Sequence, residues 1–148
     1  MGAAEARVVA VNVSGRKGER KTPVPMATLV PDHGMERDAH AGPGHRQVSL
    51  LAAESIAKMK EKGVDAGPGD FAENVTVEGI DLAALKVGDR LIVGEALVEI
   101  SQIGKECHDR CAIFFRAGDC VMPREGVFAR VLLGGKVAAG DRVAKADA

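Results

Sequence analysis

A chain of 148 residues with a net charge of -1, 46% hydrophobic and 28% charged residues has the make-up of one globular domain, residues 1–148, large enough to bury a core without disulfides or metals. No apolar run approaches the roughly 20 residues of a membrane-crossing helix, and the N-terminus lacks the basic start and apolar centre of a signal peptide. The expected location is therefore the cytoplasm, with no membrane partner. The sequence has no long block of Lys or Arg, no Trp or Tyr and only four Phe, so neither phosphate tracking nor base stacking is expected and nucleic acid is excluded as a partner. Charge is uneven: residues 51–100 hold five basic and ten acidic residues, which leaves the flanks free to offer Arg and Lys to a small anion.

In chain order, "RVVAVNV" (7–13) and "PMATLV" (25–30) read as strands. The most helical stretch starts at Ser49 as N-cap and runs through "LLAAESIAKMKEK" to a stop at Gly63, with Ala52, Ile56 and Met59 on one face. Strands follow at "ENVTVEG" (73–79), "RLIVG" (90–94), "ALVEISQI" (96–103), "GVFARVLL" (126–133) and "DRVAK" (141–145). About seven short strands, 18 glycines and one main helix predict a mainly β fold: a closed or nearly closed β-barrel with that helix and short helices packed outside.

Three stretches carry chemistry. "HGMERDAHAGPGHRQVSL" (33–50) gathers His33, His40 and His45 with Arg37, Asp38 and Arg46, and could converge on an anion; the plainer alternative is a solvated loop. In "GPGDFAENVTVEG" (67–79), Glu73 and Asn74 stand where a turn becomes a strand. Asn offers both donors and an acceptor to a heterocycle edge or phosphate, or else closes an Asx turn. "KECHDRCAIFFRAGDC" (105–120) holds all three cysteines. An odd count in a reducing compartment argues against a disulfide framework. Cys107 and Cys111 alone make one close pair, with Cys120 nine residues on, which is weak spacing for structural zinc. Cys107 sits among Lys105, His108 and Arg110, a setting that favours a thiolate, while Cys111 and Cys120 precede apolar residues and read as packed thiols.

Taken in order, "VNVSGRKGERKTPV" (11–24), "AHAGPGHRQVSLLAAE" (39–54), "GDFAENVTVEGIDLAALKVGDRL" (69–91), "IGKECHDRC" (103–111) and "CVMPREGVFARVLLGGKVAAGD" (120–141) resemble the MOSC family, named for the C-terminal domain of molybdenum cofactor sulfurases, and most of all its small stand-alone bacterial members. In "MERDAH" many members carry a glycine where this chain has Arg37. The resemblance implies a MOSC or pyruvate-kinase-like β-barrel whose cleft holds the molybdenum cofactor, a pterin dithiolene (molybdopterin) with a phosphate tail. It matches Cys107 to the family cysteine thought to carry sulfur or ligate molybdenum, and so implies Cys107 as both catalytic and metal-binding residue. It implies cofactor contacts at Arg46, Gln47, Asn74 and Thr76, and it places Arg130 in a family motif counted with them.

The residue chemistry agrees: Arg46 suits a phosphate, Asn74 and Gln47 suit a pterin edge, and a thiolate suits molybdenum. The expected function is a molybdenum-cofactor-binding domain that holds or transfers the cofactor or its sulfur, with molybdopterin-biosynthesis or molybdoenzyme proteins as partners. One alternative is a molybdenum-dependent reductase of N-hydroxylated compounds served by a separate electron donor, since the chain has neither Fe-S spacing nor a dinucleotide fingerprint. Another is a structural zinc protein. No pyridoxal phosphate site is evident in the chain.

Overall fold

The computed structural model describes residues 6–15, 21–38, 41–42, 44, 47–63, 67–71, 73–103 and 126–146. Among them the fold is mainly β. An eight-stranded sheet is built from β1 (Arg7–Val13), β2 (Thr22–Val24), β5 (Val48–Ala52), β6 (Val75–Glu78), β7 (Arg90–Val93), β8 (Ala96–Ile103), β9 (Val127–Leu133) and β11 (Val143–Ala146), in the order β11-β7-β8-β9-β5-β6-β1-β2. A three-stranded sheet, β10-β3-β4, is formed by β3 (Met26–Val30), β4 (Gly34–Met35) and β10 (Gly135–Ala138). One α-helix, α1 (Ala53–Glu61), and one 3-10 turn, Leu82–Ala84, complete the described elements.

The expected strands at 7–13, 25–30, 73–79, 90–94, 96–103, 126–133 and 141–145 all appear within a few residues. Alternation explains why: β7, and β8 from Ala96 to Ile100, bury every second residue, as a strand with one covered face must. Four further strands, β2, β4, β5 and β10, raise the count above the expected seven.

The helix start needs correction. Ser49 is not its N-cap; Val48–Ala52 is a strand with all five residues buried, and α1 begins at Ala53 behind Ala52, which makes no side-chain cap bond. A strand covered on both faces reads as a continuous apolar run, which periodicity cannot separate from a buried helix. From Ala53 onward the expectation holds: Ile56 and Met59 are buried, and Gly63, at φ 89, takes the left-handed position past the helix end.

The core lies on one face of the large sheet and is filled by Val8, Val11, Leu50, Val75, Val77, Leu91, Val98, Ile100 and their neighbours. The sheet curls far enough for its ends to meet. Val8 N-H donates to Asp141 O (2.8 Å), Gly140 N-H to Val8 O (2.8 Å) and Val143 N-H to Ala6 O (3.0 Å), with an isolated bridge between Arg7 and Arg142. This contact joins β1 to the segment entering β11 without extending into a continuous ladder, which is where the sheet departs from a fully closed barrel.

Candidate functional site

Strands β5, β6 and β1 are covered on both sides. Val48, Leu50 and Ala52, Val75 and Val77, and Val8 and Val11 face the core; strand alternation sends Ser49, Thr76 and Asn12 to the opposite face. That second face is polar and yet buried: Asn12, Ser14, Lys21, Asp38, Gln47, Ser49, Glu73, Asn74 and Thr76 all have less than 9% of their surface exposed. Burial of so many polar groups is tolerable only when their hydrogen bonds are met inside the protein.

Asn74, one residue ahead of β6, is the hub. Its Oδ1 accepts from Ser49 N-H (3.0 Å) and the Ser49 hydroxyl (3.2 Å), its own N-H donates to Ser49 O (2.9 Å), and its carbonyl accepts from Asn12 N-H (2.7 Å). Asn74 therefore ties β5, β6 and β1 together at one level. Its side-chain amide faces Asn12 O and Met35 Sδ at 3.4 and 3.8 Å and lies on the side of Asp38, whose charged form it favours.

Asp38 is held by a second set of donors. Lys21 Nζ lies 2.7 and 3.0 Å from its two oxygens, and Ser14 N-H donates at 3.0 Å. Burial pushes the Asp38 carboxyl upward, but the bonds from Lys21, Ser14 and Asn74 and the Lys21 charge outweigh it, so its pKa is lowered from 3.8. Gly69 backs this arrangement at φ 88: Lys21 N-H donates to Gly69 O (2.8 Å), and a Cβ at Gly69 would collide with the Lys21 carbonyl.

Glu73 is pushed the opposite way. Its carboxyl is fully buried, and the loss of water outweighs the lowering effect of the Thr76 hydroxyl (2.7 Å) and nearby backbone N-H groups, so its pKa is raised from 4.5. Asn12 Nδ2 donates to Thr76 Oγ1 (3.1 Å) and Glu73 O (3.2 Å), leaving Asn12 Oδ1 buried without a partner among the described residues. Two carboxyls flanking Asn74 are thus driven apart, Asp38 toward the charged form and Glu73 toward the neutral one.

Three of the four described members of the expected cofactor-binding set, Gln47, Asn74 and Thr76, share this region. Asn74 and Thr76 lie within the buried network. Gln47 adjoins it, fully engaged: its amide donates to Asp32 Oδ1 (3.0 Å) and Gly44 O (2.9 Å), and its Oε1 accepts from Val131 N-H (3.0 Å). Arg130 stands apart on the exposed side of β9, opposite Glu99 on β8. Arg46, His40, His45 and the segment with Cys107, His108, Cys111 and Cys120 lie outside the described residues. That segment runs between Ile103 and Gly126, and the pairing Ile103, Val127, Leu50, Val75 crosses four strands one residue from Ser49 and Asn74. Among the described residues no group of three or more His, Cys, Asp or Glu could hold a metal ion.

Sequence reasoning missed Asn12, Ser14 and Lys21. Asn12 did leave a signal, as an amide at an alternate position of an otherwise apolar strand. Lys21 left none, because nothing in "RKGERK" marks which cation will be buried.

Residues 36–144 match the MOSC domain family. The chain belongs to that family. The MOSC domain is associated with molybdenum-cofactor-related function, and every proposed site residue, from Arg46 to Arg130, falls inside the matched span. Three solved structures share the MOSC fold seen here. The YuaD protein from Bacillus subtilis is 19% identical, with 96% of each chain covered and a TM-score of 0.77. YiiM from Geobacillus stearothermophilus is 23% identical, with 96% of this chain and 75% of that chain covered and a TM-score of 0.72. YiiM from Escherichia coli is 20% identical, with 96% and 70% covered and a TM-score of 0.66. No curated protein sequence matches the chain.

Proposed function

We propose that this MOSC domain is a cytoplasmic, nearly closed barrel that binds the molybdenum cofactor and holds or passes on the cofactor or its sulfur during biosynthesis or delivery. The observation that carries the reading is the family match over residues 36–144, which encloses Arg46, Asn74 and Cys107.

The described residues fit as the supporting wall of such a site. Asn74, Thr76 and Gln47 spend most of their hydrogen bonds on the protein, so their part is to fix the backbone from which contact residues project. Gln47, bonded at both ends of its amide, anchors the chain at the residue next to Arg46, whose guanidinium would pair with the phosphate tail. Among the described residues Asn12 Oδ1 is a buried acceptor without a donor, the kind of atom a ligand N-H or an ordered water satisfies. When bound, the cofactor supplies a sulfur-ligated metal able to exchange sulfur or electrons. Cys107 would offer a thiolate to that metal or carry the sulfur. Glu73, kept toward its neutral form, can hold a proton beside Asn74, while Asp38 stays charged. The partners on this reading are molybdopterin-biosynthesis or molybdoenzyme proteins.

The test is pterin retention in variants isolated from cofactor-producing cells. Arg46→Ala and Cys107→Ser are expected to lose bound pterin, and Cys111→Ser to keep it. Equal retention in all three would overturn the site assignment.

A further inference from the structure

At the end of β1 and β6 remote from Asn74, the fold sets two arginines side by side. Arg7 opens β1 and forms the antiparallel bridge with Arg142, the residue before β11. Residues directly opposed in this way hold their Cβ atoms roughly 4.5–5.5 Å apart, and like charges so placed repel. Arg7 is relieved from its other flank, where Glu78 is its partner on β6 and the Nε to Oε1 distance is 2.6 Å. Arg142 has no carboxylate within ion-pair distance among the described residues.

Arg7 and Arg142 both line an open cleft of about 470 Å³ with Glu54, Glu78, Gly79 and Gly140. The two carboxylates are already committed, since Glu78 pairs with Arg7 and Glu54 Oε2 accepts from Gly79 N-H (3.0 Å). Arg142 is thus the one cation of the cleft, among the described residues, that lacks an ion-pair partner, while Glu54 is held by a backbone N-H.

We propose that this cleft binds a small oxyanion, a carboxylate or a monophosphate group, with Arg142 as its principal partner and Arg7 as the second cation. An anion between the two guanidiniums converts their repulsion into attraction, and it does so where the ends of the large sheet meet. Glu54 and Glu78 restrict the ligand further: they disfavour a polyanion and favour a molecule that presents hydrogen-bond donors beside its single anionic group. The site is independent of the cofactor reading, because it uses none of the same residues.

The experiment is a titration of the isotope-labelled full chain at low ionic strength with inorganic phosphate and, separately, acetate, against chloride at matched ionic strength. Saturable shifts at the Gly79, Gly140 and Arg142 amides are expected with phosphate, acetate or both, and which of them saturates names the group. Arg142→Gln should weaken that binding about tenfold or more. Arg90→Gln, which removes an exposed arginine paired with Glu99 elsewhere on the sheet, should leave it unchanged. Shifts that chloride reproduces, or that persist undiminished in Arg142→Gln, would overturn the proposal.

Discussion

Lys21 and Asp38 form an ion pair with an Nζ to Oδ1 distance of 2.7 Å, and their side chains are 1% and 0% exposed. The pair joins the segment after β1 to the loop after β4. Removing one partner leaves an uncompensated buried charge, which costs about 3–5 kcal/mol. Lys21→Met and Asp38→Leu should each lose stability on that scale in urea denaturation. The double variant should lose clearly less than the sum. Additive losses would mean that the two charges are not coupled.

Asp38 and Glu73 should shape the pH dependence of stability in opposite directions. The Asp38 pKa is lowered on folding, so its contribution is present above its unfolded value of 3.8 and is lost as pH falls through the lower folded value. The Glu73 pKa is raised, so its contribution is present below its unfolded value of 4.5 and is lost as pH rises through the higher folded value. Glu73→Gln should abolish that decline and flatten the stability curve above pH 4.5 relative to the parent protein. Parallel curves for parent and variant would show that Glu73 folds without a shifted pKa.

Arg37 occupies a glycine conformation. Its φ of 70 lies in the left-handed region, which costs a residue with a Cβ about 1 kcal/mol. Because Arg37 is exposed, its replacement removes no packing. Arg37→Gly should raise the melting temperature slightly, and Arg37→Val, β-branched and least suited to positive φ, should lower it. Thermal denaturation of the two variants gives the comparison directly.

Gly34 supports the backbone beside Arg46. At φ 119 it lies so close to the Gln47 carbonyl that a Cβ would collide with it. Gly34→Ala should cost about 3 kcal/mol or more, from backbone strain and displacement of β5 together. Gly63→Ala, also at positive φ but with open space around the new Cβ, should cost less. Similar losses at both positions would show that conformation, and not contact with Gln47, sets the penalty.

Much of the fold was legible because its strands alternate: "ALVEISQI" spans β8 end to end and buries Ala96, Val98 and Ile100 in turn. "QVSLLA" misled because β5 is covered on both faces, so Ser49 looked like a helix cap when its hydroxyl in fact serves Asn74. β2 and β4, at three and two residues, are too short to leave a period. In the candidate site, Glu73 and Asn74 stood out as polar residues at a strand start, whereas Thr76 came only from the family resemblance. Lys21 was not readable, because its burial depends on Asp38, seventeen residues away along the chain. Such a pairing is a property of the folded loops and has no local signature.

The cofactor reading is tested most directly by the composition of the purified protein. Isolated from cells that make molybdopterin and from cells that do not, the full chain should be assayed for molybdenum, zinc and the fluorescent oxidised pterin. Near-stoichiometric pterin with molybdenum, only from the competent cells, is the predicted result. Stoichiometric zinc with no pterin from either source would contradict it.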